Sequence, residues 1–306
     1  MSIRIEYNGG KGTGSLAGGS EGARSALSRG ALPPPGAKKK QSRPLLSSCN
    51  KELSFHGESW NSAHGGYFSD PAVTIPLIDK LTQTIHRTSP DVVADLGGGT
   101  GYVLQRLRQT LTDQNIRLVN VDTSEKQLQA NPGSAILTLN RCLSDVKRED
   151  LIADNGSLLF VMRSVLHYFG AEGLLPLLKH LRLQIKPGEY FIHQTACFED
   201  EQGKEIMNLI FSHFGVDKWF PTVAELTDIL QGLGWAVRCV EHTDSLLLTS
   251  EELSRRYLLD AGDVEAIVSD VTTCYGDRPG VCDVFVRKET GFDAFLHYKV
   301  FECQAV

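Results

Sequence analysis

The sequence has 306 residues, of which 41% are hydrophobic, 22% are charged and 8% are aromatic. That length allows one large domain or two small ones, with enough chain for a substantial hydrophobic core. Asp and Glu number 37 against 31 Lys and Arg, a formal net charge of −6. This balance excludes a protein that binds polyanions over its whole surface.

The sequence also argues against a membrane protein or a secreted one. No run approaches the ~18 consecutive apolar residues of a membrane helix, and the first 30 residues lack the apolar segment of a secretory signal. Seven cysteines are present, and none of them forms a Cys-x-x-Cys pair. They are typical of reduced thiols in a cytoplasmic protein, and the sequence predicts no metal site.

The amino-terminal segment differs in composition from the rest of the chain. Residues 1–50 contain nine Gly and eight Ser, with eight basic residues against two acidic ones. Such a segment cannot bury enough apolar surface to offset its ordering entropy, so we predict a disordered basic arm over residues 1–48. We interpret it as a solvated tail. The alternatives are a tether to nucleic acid or a membrane and a transit peptide.

From residue 91 onward, strand-like and helical segments alternate. The predicted strands are 91–96, 117–122, 158–162, 190–194 and 235–240, and the predicted helices are 103–111, 124–128, 174–185 and 223–233. Strands separated by helices of this length predict an α/β fold whose mostly parallel sheet is doubly wound, with helices on both faces.

The alternation ends after residue 240. Residues 250–259 and 263–274 have helical spacing, and strand-like segments follow at 284–286 and 295–301. We predict an insertion at about 250–290 ahead of a terminal strand. The expected organisation is the basic arm, an N-terminal helical cap over 49–90 and an α/β domain over 91–306.

A glycine-rich turn follows the first strand of the alternating region. Gly97, Gly98, Gly99 and Gly101 lie between that strand and the next helix, whose unpaired N–H groups attract anionic and polar ligand groups. Asp122 ends the next strand, 21 residues beyond Gly101. A carboxylate at this interval can accept hydrogen bonds from both ribose hydroxyls of a nucleoside. Together these features predict a nucleoside cofactor at the carboxyl edge of the sheet.

The details of the turn argue against a dinucleotide. The G-x-G-x-x-G pattern requires a glycine at position 102 or 104, and these positions hold Tyr102 and Leu104. Asp95, inside the strand end, suits a ligand with an ammonium group and disfavours a pyrophosphate.

The run from Asp95 to Gly101 resembles that of the class I S-adenosylmethionine-dependent methyltransferases of the small-molecule type. Segments 162–169, 186–189 and 233–235 resemble further motifs of that family, with Tyr168 in place of its second histidine.

The resemblance implies a seven-stranded Rossmann-like methyltransferase fold and S-adenosylmethionine as the cofactor. It implies that the glycine turn holds the methionine part of the cofactor, that Asp95 binds its amino group and that Asp122 binds its ribose. Arg163 follows the fourth strand and is a candidate for the cofactor carboxylate or for an acidic acceptor. The full set of implied cofactor-binding residues is Asp95, Gly97, Gly98, Gly99, Gly101, Asp122, Thr123, Asp145 and Arg163.

The acceptor side is predicted from a segment rich in aromatic residues and from the strand ends. Residues 55–81 are expected to cover the pocket, and ordinary core packing is the alternative for their aromatic side chains. Orientation of an acceptor behind the activated methyl group is the main chemical requirement, and a base is needed only for a protonated acceptor. The predicted acceptor-binding residues are Trp60, Tyr67, Phe68 and Trp219, and the candidate bases are His64 and His167.

The sequence therefore predicts methyl transfer to a small-molecule acceptor in the cytoplasm, with nucleic acid and membrane partners disfavoured. A protein or nucleic-acid acceptor, a cofactor-binding module without turnover and an NAD-dependent oxidoreductase are the alternatives. The oligomeric state is left open, with a homodimer as one option.

Overall fold

The computed structural model describes residues 66–68, 70–111, 115–131, 135–153, 155–276 and 278–306. The basic arm predicted over 1–48, and the candidate residues Trp60 and His64, lie outside the described residues. The cap predicted over 49–90 falls only partly within them.

A seven-stranded sheet forms the centre of the described part of the chain. Its strands are β1 Val92–Leu96, β2 Arg117–Asp122, β3 Ile136–Asn140, β4 Leu158–Arg163, β5 Tyr190–Ala196, β6 Trp235–His242 and β10 Tyr298–Ala305. They follow the order β3-β2-β1-β4-β5-β10-β6, and β10 alone runs antiparallel to its two neighbours. Every residue of β1 and of β5 is buried, because helices cover both faces of the sheet. The predicted mostly parallel, doubly wound sheet is confirmed.

Helices pack on the two faces through apolar stripes that recur at helical spacing. On one face, Leu81 of the first helix and Leu104 of the second join a buried cluster with Val93 of β1. On the other face, Leu178 and Leu230 of two later helices belong to the cluster that includes β4. The helix bounds are α1 Pro71–Thr88, α2 Tyr102–Thr110, α3 Glu125–Gln129, α4 Arg148–Leu151, α5 Gly170–Leu183, α6 Glu201–Ser212 and α7 Val223–Gly232.

Helix α1 is attached to the sheet by an ion-pair network as well as by its apolar side chains. Glu302 of β10 is 6% exposed and accepts hydrogen bonds from Thr84 Oγ1, at 3.1 Å, and from Arg87 Nη2. Lys80 Nζ lies 2.7 Å from Glu241 Oε1 and 3.9 Å from Glu302 Oε2. The network fixes the position of the helix whose amino-terminal end lies near the carboxyl edge of the sheet.

A second, smaller sheet lies between β6 and β10 in the chain. It contains three antiparallel strands in the order β7-β9-β8, which are β7 Leu246–Thr249, β8 Phe285–Arg287 and β9 Phe292–Leu296. Between β7 and β8 the chain forms two helices, α8 Ser250–Tyr257 and α9 Ala261–Tyr275. This unit shares a hydrophobic cluster with α6 and Phe68. Its elements span 246–296, a longer stretch than the insertion of 250–290 expected from the sequence.

One strand prediction differs from the structure here, and a helix that packs against this unit was not predicted. The strand predicted over 295–301 is two strands, because the chain leaves the small sheet at Leu296 and enters the main sheet at Tyr298. Alternate side chains of β9 are buried, whereas nearly every residue of β10 is buried because this strand lies inside the main sheet. Helix α6, which the sequence analysis did not predict, begins after Asp200, whose side chain accepts a hydrogen bond from the Gly203 N–H.

Within the described ranges, no helix combines the length and apolar character needed to cross a bilayer. The same residues contain no cluster of three or more His, Cys, Asp or Glu side chains arranged to hold a metal ion. All the cysteines in this part of the chain are free.

Candidate functional site

The glycine turn joins β1 to α2 and needs glycine at three positions for its backbone conformation. The φ angles are +76° at Gly97, +54° at Gly99 and +77° at Gly101, all in the left-handed region. The Gly97 N–H donates to the Val121 carbonyl at 2.7 Å, and Asn120 Nδ2 donates to the Gly99 carbonyl at 2.9 Å. The turn is thus held against β2, and a ligand can approach its backbone without meeting a Cβ.

Side chains surround this turn closely. A Cβ at Gly98 would lie 2.4 Å from Asn120 Oδ1 and 2.5 Å from Asp95 Oδ2. On the side of α3, a Cβ at Gly99 would lie 2.8 Å from Gln127 Oε1. The turn is therefore bordered by polar oxygen atoms, and its shape depends on the absence of side chains at these glycines.

Asp122 lies at the end of β2, directly beside the turn. Its Oδ2 accepts a hydrogen bond from the Gly99 N–H at 2.9 Å, and its Oδ1 accepts one from the Ser124 N–H at 2.8 Å. The residue is only 9% exposed, and burial raises the pKa of its carboxyl group although the backbone hydrogen bonds oppose this. Each oxygen accepts one N–H and keeps further capacity to accept a hydrogen bond from a hydroxyl group.

Asp95 is fully buried near the carboxyl end of β1, and neither of its carboxyl oxygens has a hydrogen-bond partner. Burial raises the pKa of Asp95 to about 7, the charge of Asp122 adds to this effect, and Arg163 opposes it. A buried carboxylate without a partner is costly, so the arrangement favours a ligand that brings a positive charge with hydrogen-bond donors.

Arg163 ends β4, the strand next to β1, and it is held from two sides. Its Nη1 donates to the Phe68 carbonyl and its Nε donates to Gln194 Oε1, each at 2.9 Å. The guanidinium lies over the rings of Phe68 and Tyr102, 5.4 and 5.7 Å from their centres. Its Nη2 is buried without a hydrogen-bond partner, and burial lowers the pKa of the guanidinium. One donor group of Arg163 is therefore left for an anionic ligand group.

A small cavity of about 20 Å³ lies beside Phe68, between the carboxyl edge of the sheet and the small sheet. We call it the insertion cavity. Its lining residues are Phe68, Ser164, His167, Tyr168, Phe211, Lys218, Phe220, Leu246, Leu248, Leu253, Arg256, Leu296 and Tyr298. Phe68 thus contacts both this cavity and the guanidinium of Arg163.

Ser164 and Tyr298 close the side of the insertion cavity nearest Arg163. Ser164 has a left-handed φ of +59°, which is rare for a residue with a side chain, and its Oγ lies 2.6 Å from Tyr298 Oη. Burial raises the pKa of Tyr298 to about 12, so this phenol is neutral near pH 7. A neutral hydroxyl pair therefore forms this wall of the cavity.

The structure places several of the predicted residues together. Asp95, Asp122 and the glycines form the turn described above, and Arg163 lies close enough to Asp95 for each charge to affect the pKa of the other. Phe68 and His167 line the insertion cavity. Tyr67 packs against the rings of Phe68 and Tyr298, and its hydroxyl donates to the Asp244 carbonyl at 2.6 Å.

Other predicted residues lie farther from these groups. Trp219 packs against the hydrophobic cluster that contains β4 and α5, while its neighbour Lys218 lines the cavity. Thr123 is exposed, and its carbonyl accepts a hydrogen bond from Asn140 Nδ2 at 3.0 Å. Asp145 lies in an exposed turn beyond β3, where its N–H donates to the Cys142 carbonyl. The adenine contact predicted for Asp145 stays a prediction.

Sequence reasoning missed several residues of the site. Asn120 is a polar residue inside an otherwise apolar strand, and that pattern was a signal for a functional or structural role. Gln194, which holds Arg163, offered the same signal in β5. Arg256 and Tyr298 come from the inserted unit and the strand after it, and no local pattern connects them with β4.

Comparison with solved structures finds the same fold in proteins of very different sequence. The YcgJ protein of Bacillus subtilis superposes with a TM-score of 0.57 at 9% identity, over 76% of this chain and 98% of that one. A candidate methyltransferase from Bacillus halodurans C-125 gives a TM-score of 0.57 at 11% identity, over 74% of this chain and 97% of that one. The described chain therefore has the Rossmann-like methyltransferase fold. No protein-family model matches the sequence, and a search of curated proteins gives no significant match.

Proposed function

We propose that this protein is an S-adenosylmethionine-dependent methyltransferase that acts on a small-molecule acceptor. The observation that carries the proposal is the pair of unsatisfied, oppositely charged groups beside the glycine turn. Asp95 has two buried oxygens without partners, and Arg163 has a buried Nη2 without one. An isolated buried charge is unfavourable, so two of opposite sign near a ligand turn suggest a ligand with both charges.

The residues fit the methionine end of this cofactor, which carries an ammonium and a carboxylate group on one carbon atom. Asp95 would bind the ammonium group, and Arg163 Nη2 would bind the carboxylate. The left-handed glycines allow the ligand to approach the turn backbone. Asp122, fixed by the N–H groups of Gly99 and Ser124, would accept hydrogen bonds from the ribose hydroxyls.

When bound, S-adenosylmethionine supplies an activated methyl group, so the chain has only to bind the acceptor, orient it and exclude water. The insertion cavity is small and partly open and borders Phe68, which also contacts Arg163, so a small acceptor would approach the cofactor from this side. His167 is buried in its wall and would accept a proton from an acceptor that arrives protonated. A cytoplasmic location is part of the proposal, since the described cysteines are free thiols.

Calorimetric titration of the full-length protein with S-adenosylhomocysteine tests the cofactor assignment. Replacing Arg163 with Met should weaken binding about 10- to 100-fold, because a hydrogen bond to a charged group contributes about 1.5–3 kcal/mol. Arg238→Met is a matched control, since Arg238 also donates to a glutamine, Gln304, but at the opposite edge of the sheet. It should bind like the unaltered protein.

The catalytic part of the proposal is tested by S-adenosylhomocysteine formation from S-adenosylmethionine across a broad acceptor panel. Failure of the unaltered protein to bind the cofactor product at high micromolar concentration contradicts the proposal. Tight binding without turnover on any acceptor would instead support the alternative of a binding module without catalysis.

A further inference from the structure

We propose that Asn120 is a positioning residue for Asp95. In the ligand-free protein its amide oxygen accepts a hydrogen bond from the protonated carboxyl group of Asp95, and this proton leaves when a ligand ammonium group binds. The pair in the free protein follows from the geometry of two neighbouring strands. The displacement of the proton rests on the proposed function, which supplies the ammonium group.

Asp95 and Asn120 lie directly opposite each other on β1 and β2. They are register partners in this parallel pair of strands, so their side chains point to the same face of the sheet. Both residues are fully buried. Asp95 Oδ2 and Asn120 Oδ1 also lie within 2.5 Å of the same point, the Cβ position that Gly98 lacks. The two oxygen atoms are therefore close neighbours beside the glycine turn.

The glycine turn fixes the orientation of the Asn120 amide. Its Nδ2 donates to the Gly99 carbonyl at 2.9 Å. Rotating the amide by half a turn would place Oδ1 against this carbonyl, so that two acceptors would face each other. Oδ1 therefore stays on the side of Asp95, where it has no hydrogen-bond partner.

A single proton satisfies both buried side chains. The ionised form of Asp95 can only accept hydrogen bonds, so it would face another acceptor in Asn120 Oδ1. The protonated form has one O–H donor, and Asn120 Oδ1 is the unpartnered acceptor beside it. A buried acceptor without a donor is unfavourable, so the pair stabilises the acid form of Asp95.

The surroundings of the pair also favour a neutral state. The charged groups that act on Asp95 are Asp122 of β2, which disfavours its ionisation, and Arg163 of β4, which favours it. Burial is the largest effect and raises the pKa of Asp95 to about 7. On the same face of the sheet, Val93 and Leu118 are the next residues along the two strands, and α2 covers them with apolar side chains.

A ligand ammonium group at Asp95 would take the place of this proton. It carries three donors and a positive charge, so it stabilises the ionised carboxylate. The pair is neutral and holds one proton before binding. After binding, Asp95 carries a negative charge beside the ammonium group, and the proton has gone to the solvent. Asn120 Oδ1 then remains as an acceptor for one N–H of the same ammonium group.

Carbon-13 NMR of the aspartate and asparagine side chains, in the full-length protein without ligand, tests the pair. Asp95→Asn and Asn120→Thr assign the two Cγ signals by their loss. We expect the Asp95 signal to titrate with a pKa of about 7 and the Asn120 signal to change with the same midpoint. An Asp95 pKa at its ordinary value of about 4, or an Asn120 signal that does not follow the titration, would overturn the proposal.

Two variants of Asn120 should move the pKa of Asp95 in opposite directions. Asn120→Thr supplies a hydroxyl group that can donate to the carboxylate, so the proton affinity of Asp95 should fall about tenfold, a pKa lower by about 1. Asn120→Asp keeps an acceptor oxygen and adds a negative charge, so the pKa should rise. The control is Asn140→Thr, because Asn140 also donates to backbone carbonyls at the end of a neighbouring strand and should leave Asp95 unchanged.

Thermal unfolding and the Gly99 amide signal show whether each variant keeps its fold and its turn. An Asp95 pKa that is the same in both folded Asn120 variants as in the unaltered protein contradicts the proposal. Saturation of the unaltered protein with S-adenosylhomocysteine at about pH 6 should move the Asp95 signal to its ionised position. Binding that leaves Asp95 protonated contradicts the displacement of the proton. Failure of S-adenosylhomocysteine to bind contradicts the proposed function instead, and the titration of the free protein still decides whether the pair exists.

Discussion

Under the proposed function, the pKa of the buried Asp95 carboxyl group determines how cofactor binding should depend on pH. A ligand ammonium group requires the ionised form of Asp95, whose pKa is raised to about 7 by burial. With that pKa, the ionised fraction rises roughly 25-fold between about pH 5.5 and about pH 7.5. We therefore expect the affinity for S-adenosylhomocysteine to rise by about that factor over the same range.

The same shift predicts the opposite trend for stability without ligand. The pKa of Asp95 is higher in the folded state than in the unfolded one, so the folded state binds more protons between about pH 4 and about pH 7. The free energy of unfolding of the unliganded protein should therefore lose a contribution as the pH rises through this range. Asp95→Asn cannot ionise, and it should remove both this loss and the pH dependence of ligand binding.

Calorimetry in two buffers of different ionisation enthalpy measures both the affinity and the number of protons released. Near pH 6 the unaltered protein should release close to one proton on binding, and Asp95→Asn should release none from this site. Asp91→Asn is the control, because Asp91 lies just before the opposite end of β1 and hydrogen bonds from Ser157 lower its pKa. An affinity that is constant from about pH 5.5 to about pH 7.5 would refute the reasoning.

Two further substitutions test the turn and the attachment of α1. Gly98→Ala places a Cβ 2.5 Å from Asp95 Oδ2, so it should weaken the binding of S-adenosylhomocysteine, measured by calorimetry, at least tenfold. The control is Gly232→Ala, which has open space around its Cβ position and should bind normally. Glu302→Gln removes the buried charge shared by the ion pairs between α1 and β10, and chemical denaturation should show a loss of about 2 kcal/mol. The exposed-pair control Glu149→Gln should change the free energy of unfolding little, and equal losses in the two variants would contradict this account.

The turn and the sheet could be predicted because their signals are local. The glycines, Asp95 and Asp122 lie within 28 residues of one another, and the spacing of strand, turn and helix determines where they meet. Parallel strands buried on both faces also give nearly continuous apolar runs, which are easily recognised. The order of the strands and the position of the antiparallel β10 depend on contacts across the whole chain, and here the resemblance to a family was needed.

The insertion cavity could not be predicted, because its residues meet only through tertiary packing. Ser164 Oγ contacts Tyr298 Oη from 134 positions away in the sequence. Lys218 and Arg256 come from a loop and from the inserted helix α8. The segment 218–221 was a candidate wall of the acceptor pocket, with Trp219 as the predicted acceptor-binding residue. In the structure Lys218 and Phe220 line the cavity, whereas Trp219 packs against the core.

Arg163 and Ser164 link the two parts of the candidate site through consecutive residues. The left-handed φ of Ser164 directs its side chain to Tyr298, while Arg163 remains on the face of the sheet near Asp95. Such a conformation costs about 1–3 kcal/mol in a residue with a side chain and persists only where its surroundings fix it. Here the Ser164 N–H donates to the Gln194 carbonyl, and the Gln194 side chain holds Arg163. Gln194 therefore connects Arg163 to the Ser164–Tyr298 wall of the insertion cavity.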